Sequence, residues 1–229
     1  MALGDSFTVD GKLYKPTIFY IQAQAAYAKS LIFIAEARVA VRAHNFIWAA
    51  IASYYSLFHL TNFLMFACPQ LVDLKLMRTF LKTLGSSGAE DPTNQIQHRV
   101  LSDFLKECEV HGLPQRVRSL LTDARKVREE YANYGPRIIW RRGQPTFLTH
   151  GFRPSDVRKI TLGVAPLLKK ALLWSCSQSP SSEVICVCVA GALKSFLENR
   201  DLHYAVWCST EVLREAELIR TSLGILRES

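Results

Sequence analysis

The stretch from His44 to Val72, "HNFIWAAIASYYSLFHLTNFLMFACPQLV", contains no Asp, Glu, Lys or Arg. Its apolar part is long enough to cross a bilayer. On a helix, however, four polar residues recur at every third position and form a stripe along one side: Ser53, Ser56, His59 and Asn62. A lone membrane span would expose that stripe to lipid at a cost, whereas a buried helix in a bundle can hydrogen-bond it. The stretch therefore predicts a central helix of a soluble helical bundle, with no membrane span.

The remaining sequence is largely helical in pattern as well. Glycine and proline are sparse and are mostly confined to a few gaps, which favours long helices. Asn45 is a suitable N-cap for the central helix, and Pro114 suits the first turn of a later one. The prediction is an all-α, up-and-down bundle of seven to eight helices, over residues 17–43, 46–67, 71–84, 94–110, 114–133, 154–176, 183–199 and 202–226.

Two segments depart from the helical pattern. Residues 1–16 are predicted to be an irregular or hairpin-like lead. In residues 137–152, "RIIWRRGQPTFLTHGF", two short β-rich runs flank the turn signal 142–145, which predicts a short β-hairpin or ordered loop. The predicted organisation is a lead over 1–16, a helical bundle over 17–177, and a C-terminal helical hairpin over 183–229 packed on the bundle.

Composition bounds the partners and the compartment. The chain has 229 residues, a formal net charge of +8 and a pI near 9.3. A basic protein of this size is drawn to phosphate-rich partners, although the charge alone does not prove nucleic-acid binding. The six cysteines form no CxxC pair, so we expect buried thiols in a reducing cytoplasm and no metal. The N-terminus has no signal-peptide layout, which also predicts a cytoplasmic protein.

Two short segments carry a family resemblance. The predicted central helix contains "AIASYYSLFHLTNFLMF" (50–66), and a later segment reads "VREEYANYGP" (127–136). The first resembles the signature helix of HEPN domains through Ala50, Tyr54, Tyr55, Phe58 and His59. The second resembles the later HEPN helix, in which an arginine precedes a short polar spacer. The order and separation of the segments also fit, and the resemblance covers about residues 17–177, leaving the last two helices unexplained.

The resemblance implies a function as well as a fold. HEPN domains usually dimerise, with the arginine-bearing helices across a cleft. Many are metal-independent ribonucleases, often in toxin–antitoxin pairs or antiviral defence, and others are inactive scaffolds or RNA binders. In active members the arginine is followed, after four to six residues, by a histidine. The histidine suits removal of the RNA 2′-hydroxyl proton near neutral pH, and the arginine can hold the phosphate as charge develops on it.

This chain matches that motif only in part. Arg128 stands in the place of the family arginine, but Asn133 stands where the histidine is expected. Asparagine can orient a phosphate or a water, yet it cannot accept a proton at neutral pH. Tyr134 is a candidate phosphate or base contact. His59 is a candidate replacement base, with a core histidine that is hydrogen-bonded to a neighbour as the alternative.

One further arginine–histidine pair fits the spacing. Arg38 and His44 are six residues apart, but they fall between the first two predicted helices. Because this is not the position of the family motif, we interpret the match as a coincidence.

The sequence around Arg128 is basic. From Arg116 to Arg142 there are eight Lys or Arg residues against three acidic ones. Guanidinium groups near aromatic rings suit single-stranded RNA, through phosphate pairing and base stacking. The candidate RNA contacts are Arg125, Arg137, Arg141 and Arg142. Around Arg128 the alternative is a solvated face with local ion pairs, each worth a few tenths of a kcal/mol. For the later arginines it is a hairpin whose aromatic residues pack on the bundle while the arginines face water.

Two hypotheses about function follow. The first is a HEPN-like homodimer that binds RNA or cleaves it without a metal or cofactor, with Arg128, Asn133, Tyr134 and His59 lining a cleft. The second is a catalytically inactive HEPN-like scaffold whose C-terminal helices bind a protein partner. Asn133 favours the second hypothesis, and the basic run favours the first.

Overall fold

Helices make up most of the structure, which is a computed structural model. It describes residues 7–9, 12–14, 17–68, 71, 98–107, 112–129, 137–148, 153–178, 180–198 and 209–222. The helices within these ranges are α1 (Thr17–Arg42), α2 (Phe46–Ala67), α3 (His98–Glu107), α4 (Leu113–Arg128), α5 (Pro154–Cys176), α6 (Pro180–Glu198) and α7 (Thr210–Ser222). The strands are β1 (Phe7–Val9), β2 (Lys12–Tyr14), β3 (Arg137–Arg141) and β4 (Gln144–Leu148).

Helix α2 lies at the centre of the bundle. It packs most extensively against α1, and it also contacts α3, α4, α5 and α6. From Ala49 onward nearly all of its side chains are buried, including Tyr54, Leu57, Phe63 and Phe66. The central position predicted from the uncharged stretch is confirmed, and the described helices form the predicted all-α bundle. None of the described helices combines the length and the hydropathy that crossing a bilayer requires.

The polar stripe of α2 is satisfied along half of its length. Ser53 Oγ lies 2.8 Å from Thr161 Oγ1 on α5. Ser56 Oγ donates to the carbonyl of Ser30 on α1, and Ser30 Oγ donates back to the carbonyl of Ser56, both at 2.7 Å. For these two positions the prediction of buried hydrogen bonds is confirmed. Within the described residues, the side-chain amide of Asn62 has no partner.

The joint between α1 and α2 is a tight helix-ending turn. The N–H groups of His44 and Asn45 donate back to the carbonyls of Val41 and Ala40 at 3.2 and 2.8 Å, and His44 has a φ of 57°. This pattern is a Schellman motif, with His44 in the left-handed position. Asn45 Oδ1 then accepts from the N–H of Trp48 at 3.2 Å, as the predicted N-cap. His44 is exposed and serves the turn.

The C-terminal helices α6 and α7 each pack against α1, far more than against each other. Their buried residues, which include Val189, Val212 and Ile219, join the same core as those of α1 and α2. The helix predicted over 183–199 begins three residues earlier, at Pro180, where proline suits the first turn. The described part of the helix predicted over 202–226 begins at Thr210. Ser209 is its non-helical cap and accepts from the N–H of Val212 at 3.3 Å.

Both predicted hairpin regions contain antiparallel ribbons. In the lead, β1 pairs with β2 over the described residues 7–9 and 12–14, which fits the hairpin-like alternative. The second ribbon pairs Arg137 with Leu148 and Arg141 with Gln144. Its turn comprises only Arg142 and Gly143, at φ of 50° and 78°, as in the I′ turns that match strand twist. The predicted turn 142–145 is therefore too long by two residues, because Pro145 can pair at an edge strand.

Several predicted helices reach beyond the described residues. The helix over 71–84 lies outside them except at Leu71, and so do residues 94–97 and 108–110 of the next. The described part of the helix predicted over 114–133 ends at Arg128. The prediction of 154–176 agrees with α5 at both ends, because Pro154 opens the helix.

Candidate nucleic-acid interface

Helix α4 is amphipathic and turns a basic side to solvent. Its buried side consists of residues at helical spacing: Leu113, Pro114, Val117, Ala124 and Val127. Through this side it packs on α2 and α5. The exposed side includes Arg116, Arg125 and Lys126. Three cations, at positions 125, 126 and 128, fall in its last turn, where the carbonyl end of the helix favours positive charge.

Arg128 turns back toward the bundle instead of extending into solvent. Its side chain is 14% exposed, and its guanidinium carbon lies 4.0 Å from the centroid of the Tyr54 ring on α2. Such a cation–π contact contributes about 0.5–2 kcal/mol, more as the pair loses water. The guanidinium is thus held beside the uncharged central helix. The Tyr54 hydroxyl stays protonated, since burial raises the pKa of Tyr54 to about 12 although the charge of Arg128 acts to lower it.

The acidic neighbour of Arg128 is mainly engaged elsewhere. Arg125 Nε donates to Glu129 Oε1 at 2.7 Å, and this hydrogen bond raises the pKa of Arg125. The same oxygen lies 3.7 Å from Arg128 Nη2. Arg128 Nε is buried and has no hydrogen-bond partner in the part of the chain that is described. A buried donor without a partner costs about 1–3 kcal/mol, so the packing on Tyr54 holds this guanidinium against the bundle at an energetic cost.

His59 is packed as a core aromatic residue. Only 5% of it is exposed. Its ring stacks on Phe33 of α1 at 5.5 Å with an interplanar angle of 13°, and its edge contact with Phe58 is at 5.3 Å. Burial, followed by the nearby charge of Lys29, lowers the pKa of His59 to about 3. The imidazole is therefore neutral near pH 7, and its Nδ1 has no partner within the described ranges.

The contact of Arg128 with α2 and the side chain of His59 lie on different sides of that helix. Positions 54 and 59 are five residues apart, so their side chains leave the helix about 140° from one another. Arg128 contacts the Tyr54 side, which faces α4, whereas His59 contacts Phe33, which belongs to α1. The described contacts thus bring Arg128 to the central helix, but they do not bring it to His59, the other described residue of the predicted cleft.

The other predicted site residues are only partly described. Asn133 and Tyr134 lie outside the described residues. Arg137 and Arg141 are the first and last residues of β3, and Arg142 is an exposed turn residue. The role of Asn133 in the cleft therefore stays a prediction.

The sequence pattern did not indicate which residues surround His59 or which residue Arg128 contacts. Lys29, Phe33 and Glu36 recur on α1 at spacings of four and three residues, so they share one face of that helix. A lysine and a glutamate on a helix that is otherwise mostly apolar were the available signal. Lys29 and Glu36 are half-buried, and this burial lowers the pKa of Lys29 and raises that of Glu36. Tyr54 was predicted only as part of a motif, and not as the residue on whose ring the Arg128 guanidinium packs.

No group of three or more His, Cys, Asp or Glu side chains suited to a metal ion occurs among the described residues. Comparison of the chain with protein-family models, with curated proteins and with solved structures finds no match.

Proposed function

We propose that this chain is a HEPN-like RNA-binding protein in which Arg128 is the central phosphate or base contact. One observation carries the proposal. The Arg128 guanidinium is held on the Tyr54 ring at 4.0 Å, at the basic end of α4, with a buried donor that no described residue pairs. A solvent-exposed surface arginine makes no such packing contact, and its ion pairs contribute little to stability.

The seating of Arg128 prepares it for an anionic ligand. One face of the guanidinium rests on a ring, so its in-plane N–H donors are directed away from that ring. A planar fork that is already immobilised loses less entropy when it binds a phosphate than a flexible side chain does. Arg125 and Lys126, on the same helical turn, add long-range attraction for a polyanion.

RNA binding is better supported than RNA cleavage. A general base must titrate near the working pH, but His59 has a pKa of about 3 and is nearly inaccessible. Tyr54, with a pKa of about 12, stays protonated near pH 7 and cannot serve as the base. Asn133 cannot accept a proton. A metal-independent ribonuclease activity, a homodimer and a role in toxin or antiviral defence stay predictions of the family resemblance.

The decisive experiment is a comparison of single-arginine variants. Binding of a fluorescent single-stranded RNA is measured by anisotropy in EDTA, at several salt concentrations. We expect Arg128→Ala to weaken binding by about tenfold or more, since a charge-assisted contact is lost. Arg125→Ala should weaken it by only a few fold. Arg153→Ala, which removes an equal charge from an exposed position before α5, is the matched control and should change little.

Two outcomes would contradict the proposal. One is equal loss in the Arg128 and Arg153 variants, because only net charge would then matter. The other is no RNA binding by the wild-type chain at low salt. RNA cleavage in EDTA that disappears in Arg128→Ala would instead support the ribonuclease form of the hypothesis.

The alternative, a catalytically inactive scaffold, has its own observation. Large apolar side chains are exposed on the later helices, with Leu173 at 59%, Val187 at 66% and Leu218 at 56%. Contiguous exposed apolar patches mark protein-binding surfaces, and the scaffold form requires these side chains to contribute to one. This form predicts no RNA binding. If the bound protein is a second copy of this chain, it also predicts that charged substitutions at these positions lower the solution mass measured by light scattering.

A further inference from the structure

A cavity of about 280 Å³ lies where α1, α5 and α7 meet. Helix α1 contributes Arg38 and Arg42, α5 contributes Arg158, and α7 contributes Glu215. Arg42 and Arg158 are exposed, so solvent reaches the cavity. Its size lies near the lower end of the range for ligand sites, which begins at about 300 Å³. None of its residues belongs to the Arg128 interface.

The charge of this cavity is unbalanced. Glu215 is 8% exposed and accepts one hydrogen bond on each carboxylate oxygen, from Arg38 Nη1 at 3.0 Å and from Arg42 Nη1 at 2.7 Å. Arg42 also lies 3.7 Å from Glu211, which is largely exposed. Within the described ranges Arg158 has no carboxylate partner. Its guanidinium carbon lies 5.3 Å from the centroid of the Phe46 ring.

The arginines retain unused hydrogen-bonding capacity. Each guanidinium has five N–H donors in a planar fork, and the contacts with Glu215 use one donor from each of Arg38 and Arg42. Two arginines therefore bind one buried carboxylate, and a third arginine, Arg158, lines the same cavity. Such a group of donors fits a tetrahedral oxyanion, which accepts on several sides at once.

We propose that this cavity binds a small phosphate-bearing molecule, a phosphomonoester of about mononucleotide size. Arg158 supplies the free positive charge, and the remaining donors of Arg38 and Arg42 complete the phosphate contacts. Val41 and the exposed Leu162 line the apolar part of the cavity, against which the organic part of the ligand packs.

Glu215 has two opposed roles in this arrangement. Its carboxylate ties α7 to α1 through two arginines, and so it stabilises the fold. The same negative charge repels an incoming phosphate and occupies donors that the phosphate would use. Glu215→Gln should therefore lower the melting temperature and yet tighten phosphate binding, an opposition that a purely structural role does not produce.

The test is isothermal titration of the full chain with adenosine 5′-monophosphate, at low salt, with adenosine as the ligand control. We expect saturable binding of the monophosphate with a dissociation constant at or below about 1 mM, and none of adenosine. Arg158→Ala should weaken binding by about tenfold, and Arg158→Lys by less. Lys159→Ala removes an exposed charge that does not line the cavity and should leave binding unchanged.

Several results would overturn the site. They are no saturable binding to the wild type, equal binding of adenosine and its monophosphate, or equal weakening by the Arg158 and Lys159 changes. Circular dichroism of each variant confirms that it is folded. If Glu215→Gln does not fold, the Arg158 series with its two substitutions still decides the question.

Discussion

The replacement His59→Phe tests whether this histidine is a buried core residue or an available base. In the folded chain the pKa of His59 is about 3, because the ring is buried and Lys29 is near, whereas in the unfolded chain it is about 6.5. Below pH 6.5 His59 binds a proton in the unfolded state but stays neutral in the folded state. Stability must therefore fall as the pH falls from about 6.5, and the loss ends near the folded pKa.

The magnitude follows from the two pKa values. Between pH 7.5 and pH 5, His59 alone should remove about 2 kcal/mol of the free energy of unfolding. The raised pKa of Glu36 acts in the opposite direction, since its carboxylate gains a proton more readily when folded. Glu36 is present in both proteins, so its contribution largely cancels from their difference. Phenylalanine keeps a ring against Phe33 and removes the titration.

The assay is urea unfolding at a series of pH values for wild type and His59→Phe. The wild type should lose about 2 kcal/mol more than the variant over this interval. An NMR titration of the ring nitrogens should find His59 neutral at pH 5. The same pH slope in both proteins, or titration of His59 near pH 6.5, would refute the buried placement and revive its role as a base.

Three further predictions concern stability and thiol chemistry. Glu215→Gln should lower the free energy of unfolding by about 1–3 kcal/mol in urea, because two charge-assisted hydrogen bonds weaken. Tyr27→Phe should cost about 1 kcal/mol in the same measurement, because its buried hydroxyl donates to the carbonyl of Leu168 at 3.2 Å. Iodoacetamide should modify the exposed Cys188 long before the buried Cys186, whose pKa is raised by burial, as peptide mass spectrometry will reveal; equal rates at the two thiols would contradict the packing of α6.

Local features were predictable because neighbouring residues cause them. The absence of charge from 44 to 72, together with the polar stripe on one side, favoured burial of α2 in a bundle, since a bilayer would leave that stripe in lipid. Asn45 capped that helix and Pro154 opened α5, because their side chains act on the adjacent backbone. Gly143 permitted the hairpin turn, although the exact turn length depended on pairing between Arg141 and Gln144.

The sequence by itself determined a mainly helical chain with an uncharged centre and a basic segment near Arg128. Only the tertiary structure decided what faces that arginine, which is Tyr54, and what surrounds His59, which is α1. It also brought Glu215 to Arg38 and Arg42 across more than 170 residues of chain. The physical reason is that helix periodicity sets which side chains share a face, whereas the partner of each face depends on how helices remote in sequence pack together.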